Sequence, residues 1–300
     1  MTPIPTAPSG YLGRFAPSPS GPLHFGSLVC ALASYLDAKL HKGQWLLRIE
    51  DIDPPREVAG AASAIVRSLE QHGLSWDGPV LWQSQRSSQY EAVLERLRQA
   101  GQIYPCSCTR KRLESLGHKY DGHCRTHPAQ LPAAWRLQVA EDTAIRFVDR
   151  HLGHQVQQLG AQGDFIIHRK DGLFAYALAV VVDDWQQGIT HVVRGSDLLS
   201  ATGNQVFLFN LLGAQPPSYA HIPVITDCQG LKLSKQNHAQ ALDSQIPGHN
   251  LWRALWALGA RPPKELSQSD PVDVIQWALE YWQLGQLPTG TSVLESDLPI

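Results

Sequence analysis

A turn-rich segment that runs straight into a helix constrains this chain most. It reads Arg14-Phe15-Ala16-Pro17-Ser18-Pro19-Ser20-Gly21-Pro22-Leu23-His24-Phe25-Gly26-Ser27. Apolar residues then recur at three- and four-residue steps (Leu28, Leu32, Tyr35, Leu36, Leu40), which predicts a helix over 28–40. Next comes a short apolar strand, Trp45 to Glu50, ending in the acids Glu50, Asp51 and Asp53. Val58 to His72 and Gln89 to Ala100 read as further helices, closed by Gly73 and Gly101. Turn, helix, strand, helix at this spacing predicts an α/β fold on a parallel sheet.

The rhythm breaks from Tyr104 to Pro132, which reads as an insertion rich in Cys, His and basic residues. It resumes with candidate strands at Ala144 to Val148, Asp164 to His168 and Ile189 to Arg194. The near-continuous apolar run Leu173 to Val182 is followed by Asp183-Asp184, and Gly195-Ser196-Asp197 opens a helix through Leu212. Ile222 to Ile225 leads into Lys232-Leu233-Ser234-Lys235-Gln236, and tryptophan-rich tail helices are expected at 251–258 and 272–284.

Composition narrows the class. Three hundred residues, 43% hydrophobic and 17% charged, leave room for two or so domains with a sizeable core. The run Phe174 to Val182 is far short of the ~20 residues that span a bilayer. Met1 to Gly10 has no signal-peptide pattern and reads as a frayed leader, so a cytoplasmic protein without membrane contact is expected. A formal charge of −2 means that any nucleic-acid contact rests on local patches. One such patch lies between Tyr104 and His127, where Arg110, Lys111, Arg112, Lys119 and Arg125 face only Glu114 and Asp121.

Five cysteines in such a chain argue against a disulfide framework. Cys30 and Cys228 read as isolated structural thiols. Cys106, Cys108 and Cys124 offer three thiolates to one structural zinc, which wants four ligands. Residue chemistry leaves the fourth open, with His118, His123 and His127 all in range.

Two short motifs carry the remaining chemistry. A helix N-terminus suits phosphate, Gly21, Gly26 and Ser27 allow close approach, and His24 can donate to a phosphate oxygen as charge builds. About 200 residues later, Lys232 and Lys235 add mobile cations around Ser234. Together they form the two halves of a site that positions a nucleotide and stabilises charge on it.

The first segment resembles the HIGH motif of class I aminoacyl-tRNA synthetases, and Lys232 to Gln236 resembles their KMSKS loop. Arg14 to Pro19, Arg48 to Arg56 and Gly188 to Gly195 are similar to glutamyl-tRNA synthetases, and the likeness runs over roughly residues 11–240. Only 64 residues follow Gln236, so no anticodon-binding domain is expected. This short form with a Cys-x-Cys insertion resembles the glutamyl-Q tRNA(Asp) synthetases.

The resemblance implies a Rossmann-like catalytic domain in two halves, 11–103 and 161–245. Between them lies a zinc-bearing, acceptor-contacting insertion at 104–160, and a helical tail follows at 246–300. It implies tRNA-independent activation of L-glutamate with ATP and Mg²⁺, then transfer to queuosine in tRNA(Asp), with no obligate protein partner. A minimal enzyme charging the tRNA 3′ end and a non-catalytic tRNA-binding module remain the alternatives.

By the same resemblance Arg14, Ala16, Ser18, Glu50, Tyr176 and Arg194 hold glutamate, with Glu50 at the α-amino group. His24, Gly26, Ser27, Ser234 and Lys235 hold ATP; His24, Lys232 and Lys235 are catalytic; Tyr120 joins the three cysteines on zinc. Val180 departs from the pattern, standing where full glutamyl-tRNA synthetases usually carry asparagine. A glutamine side chain would leave buried guanidinium charge without a counter-charge, which costs several kcal/mol, about that of a broken buried pair.

Overall fold

The computed structural model describes residues 10–117, 119–127, 129–233 and 241–299. The parallel core begins with β1 (Leu12–Phe15), α1 (Phe25–Leu40) and β2 (Gln44–Ile49). β1 lies parallel to β2, with Arg14 opposite Leu46, and β2 continues to the short β3 (Leu81–Trp82) after α2 (Ala61–Gln71). α1 is buried on nearly every side, from Phe25 and Leu28 to Ala38. A helix apolar all round belongs inside a fold.

α3 (Ser87–Gln99) leads to β4 (Ile103–Cys106), α4 (Arg110–Ser115), α5 (His123–Thr126) and β5 (Ala134–Leu137). β6 (Ala144–Asp149) and β7 (Gly153–Gln158) form a hairpin, followed by α6 (Leu159–Gln162) and β8 (Phe165–His168). The 104–132 region is thus anchored by its own antiparallel sheet, ordered β4-β5-β8. The second half supplies α7 (Tyr176–Gln187), β9 (His191–Gly195), α8 (Leu199–Leu211), β10 (Ser218–Ile222) and β11 (Val224–Thr226). β9, β10 and β6 run parallel, with the antiparallel β7 at the edge. Thr190 joins the halves: its N–H donates to the Leu12 carbonyl at 2.9 Å, and its carbonyl accepts the Ser218 N–H at 2.8 Å.

The tail packs on α1 through α9 (Pro247–Ala257) and α10 (Pro271–Tyr281). Two of its tryptophans bury their rings and keep their N–H partnered: Trp282 donates to the Leu258 carbonyl at 3.1 Å and Trp252 to Pro263 at 2.9 Å. The tail is not purely helical, because Ser292–Leu294 forms β12 parallel to β11. Among the described residues no helix is long and apolar enough to cross a membrane.

Three elements differ from the sequence reading. The run 173–182 enters α7 only at Tyr176, and the two acids after it continue the same helix, in which Asp183 and Asp184 are buried. α2 starts at Ala61 rather than Val58, because Gly60 enters it at φ 78°, a left-handed conformation. Cys30 packs against the main core and also lines the central cavity, whereas Cys228 is exposed.

Candidate active site

A cavity of about 790 Å³ opens where the strand ends of the two halves meet. Its lining includes Arg14, Ala16, Ser18, His24, Gly26, Ser27, Glu50, Tyr176, Arg194 and Lys232. Ten of the twelve residues singled out for glutamate and nucleotide therefore share one cavity; Ser234 and Lys235 lie outside the described residues. The chain on either side of the lysine loop returns to the His24 turn. Leu233 N–H donates to Ile225 at 2.8 Å on β11, and Leu242 N–H donates to Leu23 at 3.1 Å.

The turn itself is built from proline and glycine geometry. The Pro17 carbonyl accepts the Glu50 N–H at 3.0 Å, tying the turn to the end of β2, and Gly21 takes φ 146°. His24 caps α1, with Nδ1 accepting the Ser27 N–H at 3.3 Å. That bond leaves the ring proton on Nε2, which lies 2.9 Å from Ser27 Oγ. The helix N-terminus is thereby partly satisfied, and the imidazole is presented as a donor. Lys232 is engaged across the cavity mouth, 2.6 Å from Asp197.

Beneath the turn lies a buried charge cluster that the motifs did not reveal. Arg48, fully buried in β2, donates to Asp184 at 2.7 Å and to Gln187 at 2.9 Å, with Glu50 at 3.6 Å. Arg14 shares Asp184 at 3.2 Å. Asp183 takes Tyr90 at 2.7 Å, Gln83 at 2.8 Å and Arg86 at 2.5 Å. Burial alone would raise the Asp184 carboxyl, but Arg14 and Arg48 outweigh it and hold that carboxyl below the usual aspartate range. At Glu50 burial wins and pushes the carboxyl up, against Arg48 and Arg14.

Arg194 is treated differently. It is 3% exposed, yet its four hydrogen bonds all go to neutral groups. Nε donates to His221 at 3.1 Å, Nη2 to Thr202 and Gln205 at 2.8 Å each, and Nη1 to the Tyr176 hydroxyl at 3.4 Å. A buried guanidinium at a cavity wall with no carboxylate among those partners fits an anionic ligand.

Comparison with known proteins sets this geometry in a family. Residues 12–255 match the family described as tRNA synthetases class I (E and Q), catalytic domain. A Pseudomonas aeruginosa glutamyl-Q tRNA(Asp) synthetase is 49% identical over 292 residues, 97% of this chain and 99% of that protein. One from Vibrio cholerae is 46% identical over 289 residues, covering 96% and 95%. The chain belongs to the glutamyl-Q tRNA(Asp) synthetase family. Among solved structures, a glutamate tRNA ligase from Elizabethkingia meningosepticum, in complex with its amino acid, superposes with a TM-score of 0.79. It is 24% identical and covers 95% of this chain and 67% of that one, a likeness of fold. The glutamyl-Q family is thus a class I α/β catalytic fold.

In this member of the glutamyl-Q family, the Sγ atoms of Cys106, Cys108 and Cys124 lie within 4.8 Å of one another. Tyr120 is buried beside them, its hydroxyl 3.8 Å from Cys106 Sγ and accepting the Cys124 N–H at 2.8 Å. Arg136 donates to Cys106 at 3.2 Å and Arg112 to Cys108 at 3.5 Å. His123 and His127 are exposed and stack on each other at 4.8 Å, outside the cluster; His118 lies outside the described residues. The basic patch is smaller than its sequence, because Arg112 pairs with Asp121 at 2.6 Å and Arg125 with Asp164. Arg110, Lys111 and Lys119 remain exposed.

The signal for the missed cluster was an arginine inside an apolar strand and two acids inside an apolar helix. Asp184→Asn removes the carboxylate that Arg14 and Arg48 share and is expected to cost about 3–5 kcal/mol of stability, read by urea denaturation. Asp184 contributes fully above the ordinary aspartate value of ~3.9 and loses its contribution as pH falls through its depressed folded value. The gap between wild type and variant should therefore hold at neutral pH and close in acid.

Proposed function

We propose that the protein activates L-glutamate with ATP and transfers it to the queuosine nucleoside of tRNA(Asp), as the names of its relatives describe. The observation that carries the amino-acid half is Arg194, a buried cation held by neutral groups at the cavity wall. Arg194 with Tyr176 takes the side-chain carboxylate, Arg14 takes the α-carboxylate, and Glu50 takes the α-ammonium; Ala16 and Ser18 line the turn between them. Glutamate brings two carboxylates and one ammonium, which these groups match in turn.

ATP lies on the His24 side, along Gly26 and Ser27, and the family resemblance adds Ser234 and Lys235 as partners. The α-carboxylate oxygen attacks the α-phosphorus, pyrophosphate leaves, and glutamyl-adenylate forms. His24, Lys232 and Lys235 stabilise charge on the phosphates. Mg²⁺ bound with ATP neutralises phosphate charge. A cis-diol hydroxyl of queuosine then attacks the activated carbonyl and AMP leaves. Residues 11–103 and 161–245 build this cavity, and 246–300 support it. The exposed Arg110, Lys111 and Lys119 of 104–160 meet RNA phosphates, in a protein of the cytoplasm.

The three thiolates fit zinc. Tetrahedral Zn–S bonds of ~2.3 Å set sulfur–sulfur edges of ~3.8 Å, and Cys108 and Cys124 stand 3.5 Å apart. Tyr120 supplies the fourth position. The metal holds the insertion in shape.

Three outcomes test this reading. Glutamate should drive ATP–pyrophosphate exchange without tRNA, and Lys235→Ala should slow it about 100-fold or more, as for lost transition-state charge stabilisation. Exchange that required tRNA would contradict the mechanism. Purified protein should carry about one zinc, and Cys106→Ser should lose it; zinc-free protein prepared without chelator would end the metal assignment. Labelled glutamate should leave with the queuosine nucleoside after nuclease digestion. Label on the 3′-terminal adenosine, or on tRNA(Asp) lacking queuosine, would overturn the acceptor.

A further inference from the structure

Behind Arg194 stands a buried pair that no motif contains. His221 on β10 is in register with Arg194 on β9, so the two side chains stand side by side on adjacent strands. The imidazole is fully buried. Its Nδ1 lies 2.6 Å from Asp149 Oδ2 at the end of β6. Asp149 also accepts the backbone N–H groups of His151 at 3.0 Å, Leu152 at 2.8 Å and His221 itself at 3.1 Å. Burial would raise this carboxyl, but the bonds from His221, Leu152 and His151 outweigh it and hold it ionised.

An ionised Asp149 fixes a proton on His221 Nδ1. The other nitrogen faces Arg194 Nε at 3.1 Å, and a guanidinium can only donate. Nε2 must therefore be bare and accepting, so the ring is neutral and of one tautomer. Burial acts in the same direction, lowering the imidazole pKa. The other groups around it are Thr202 of α8 at 3.0 Å, Tyr219 stacked at 5.9 Å and the Asp197 charge beyond β9.

We propose that His221, backed by Asp149, is a positioning residue that aims the Arg194 fork at the substrate's side-chain carboxylate. The inference rests on the reading of Arg194 as the group that binds that carboxylate. A carboxylate behind Arg194 would anchor it equally well but would cancel its charge. A neutral imidazole fixes the guanidinium plane and leaves the charge for the ligand. Asp149 sits one residue further back, where it sets the tautomer without touching the arginine.

The test is ATP–pyrophosphate exchange with the full chain, reading the glutamate KM, the ATP KM and kcat separately. His221→Leu removes the acceptor. It should raise the glutamate KM by about tenfold or more, the scale of one lost buried bond to a charged group. The ATP KM and kcat should stay within about threefold. His221→Gln offers a carbonyl to Arg194 and an amide to Asp149, and should bring the glutamate KM back to within about threefold of wild type. If His221→Leu fails to fold, His221→Phe keeps the ring volume without its nitrogens and answers the same question. The proposal is overturned if the acceptor-less variant keeps the wild-type glutamate KM, if all three parameters worsen together, or if Gln is no better than Leu or Phe. Arg194→Leu is run alongside. An unchanged glutamate KM there would remove the reading of Arg194 itself, whatever His221 does.

Discussion

Placing charge in the interior is the constraint around which this fold is arranged. Arg48 has no solvent-exposed surface, and neither does Asp183. Isolated, either ion would cost many kcal/mol. They are tolerated because β2 and α7 bring a carboxylate to each guanidinium. Asp184 lies 2.7 Å from Arg48 and 3.2 Å from Arg14, while Asp183 lies 2.5 Å from Arg86. The pairs cross the chain at separations of about 100 to 170 residues. These pairs therefore tie the cavity wall to both halves of the fold.

That arrangement divides the site into a rigid part and an approachable one. Three of the residues assigned to the amino acid sit in strands and helices, Arg14 in β1, Arg194 in β9 and Tyr176 at the start of α7, while Ala16, Ser18 and Glu50 follow strand ends. The residues assigned to the nucleotide sit on a helix cap and beside a loop. A zwitterion about the size of a side chain needs fixed donors, because small errors in angle cost bidentate contacts. A triphosphate is larger and can be gathered by point charges.

The sequence made this division half visible. α1 was legible because its apolar residues recur at three- and four-residue steps, β2 because it is a short apolar run ending in acids, and the His24 turn because proline and glycine mark it. β1 was hidden, since four residues, Leu12-Gly13-Arg14-Phe15, hold a buried glycine and a buried arginine and run into a proline-rich turn. α7 showed no clear helical period because it is apolar on most faces, and its buried acids look like a polar boundary. β10 was masked by His221, which reads as a polar break in Ser218-Tyr219-Ala220-His221-Ile222. In each case a charged or polar residue stands where local pattern demands an apolar one, and its partner lies far away in sequence. Single-sequence periodicity cannot supply that partner. The resemblance to glutamyl-tRNA synthetases gathered Arg14, Glu50, Tyr176 and Arg194 into one pocket, but it named the ligand-facing groups and not the ions behind them.

Arg14 and Arg194 then show how two like side chains acquire different roles. Arg14 shares a carboxylate with Arg48, so part of its charge is already answered and its orientation is fixed from behind by an anion. A ligand oxygen meeting it forms a third side of an existing network. Arg194 is fixed by an imidazole, two hydroxyls and an amide, with no carboxylate among these hydrogen-bond partners. The free-energy difference between an anionic and a neutral ligand end should therefore concentrate at Arg194. In the proposed binding mode, an amide there would meet a cation with no carboxylate among its hydrogen-bond partners, whereas at Arg14 the same exchange would be cushioned by Asp184. In the proposed binding mode, selectivity for a side-chain carboxylate over its amide follows from what stands behind the arginine more than from the arginine itself.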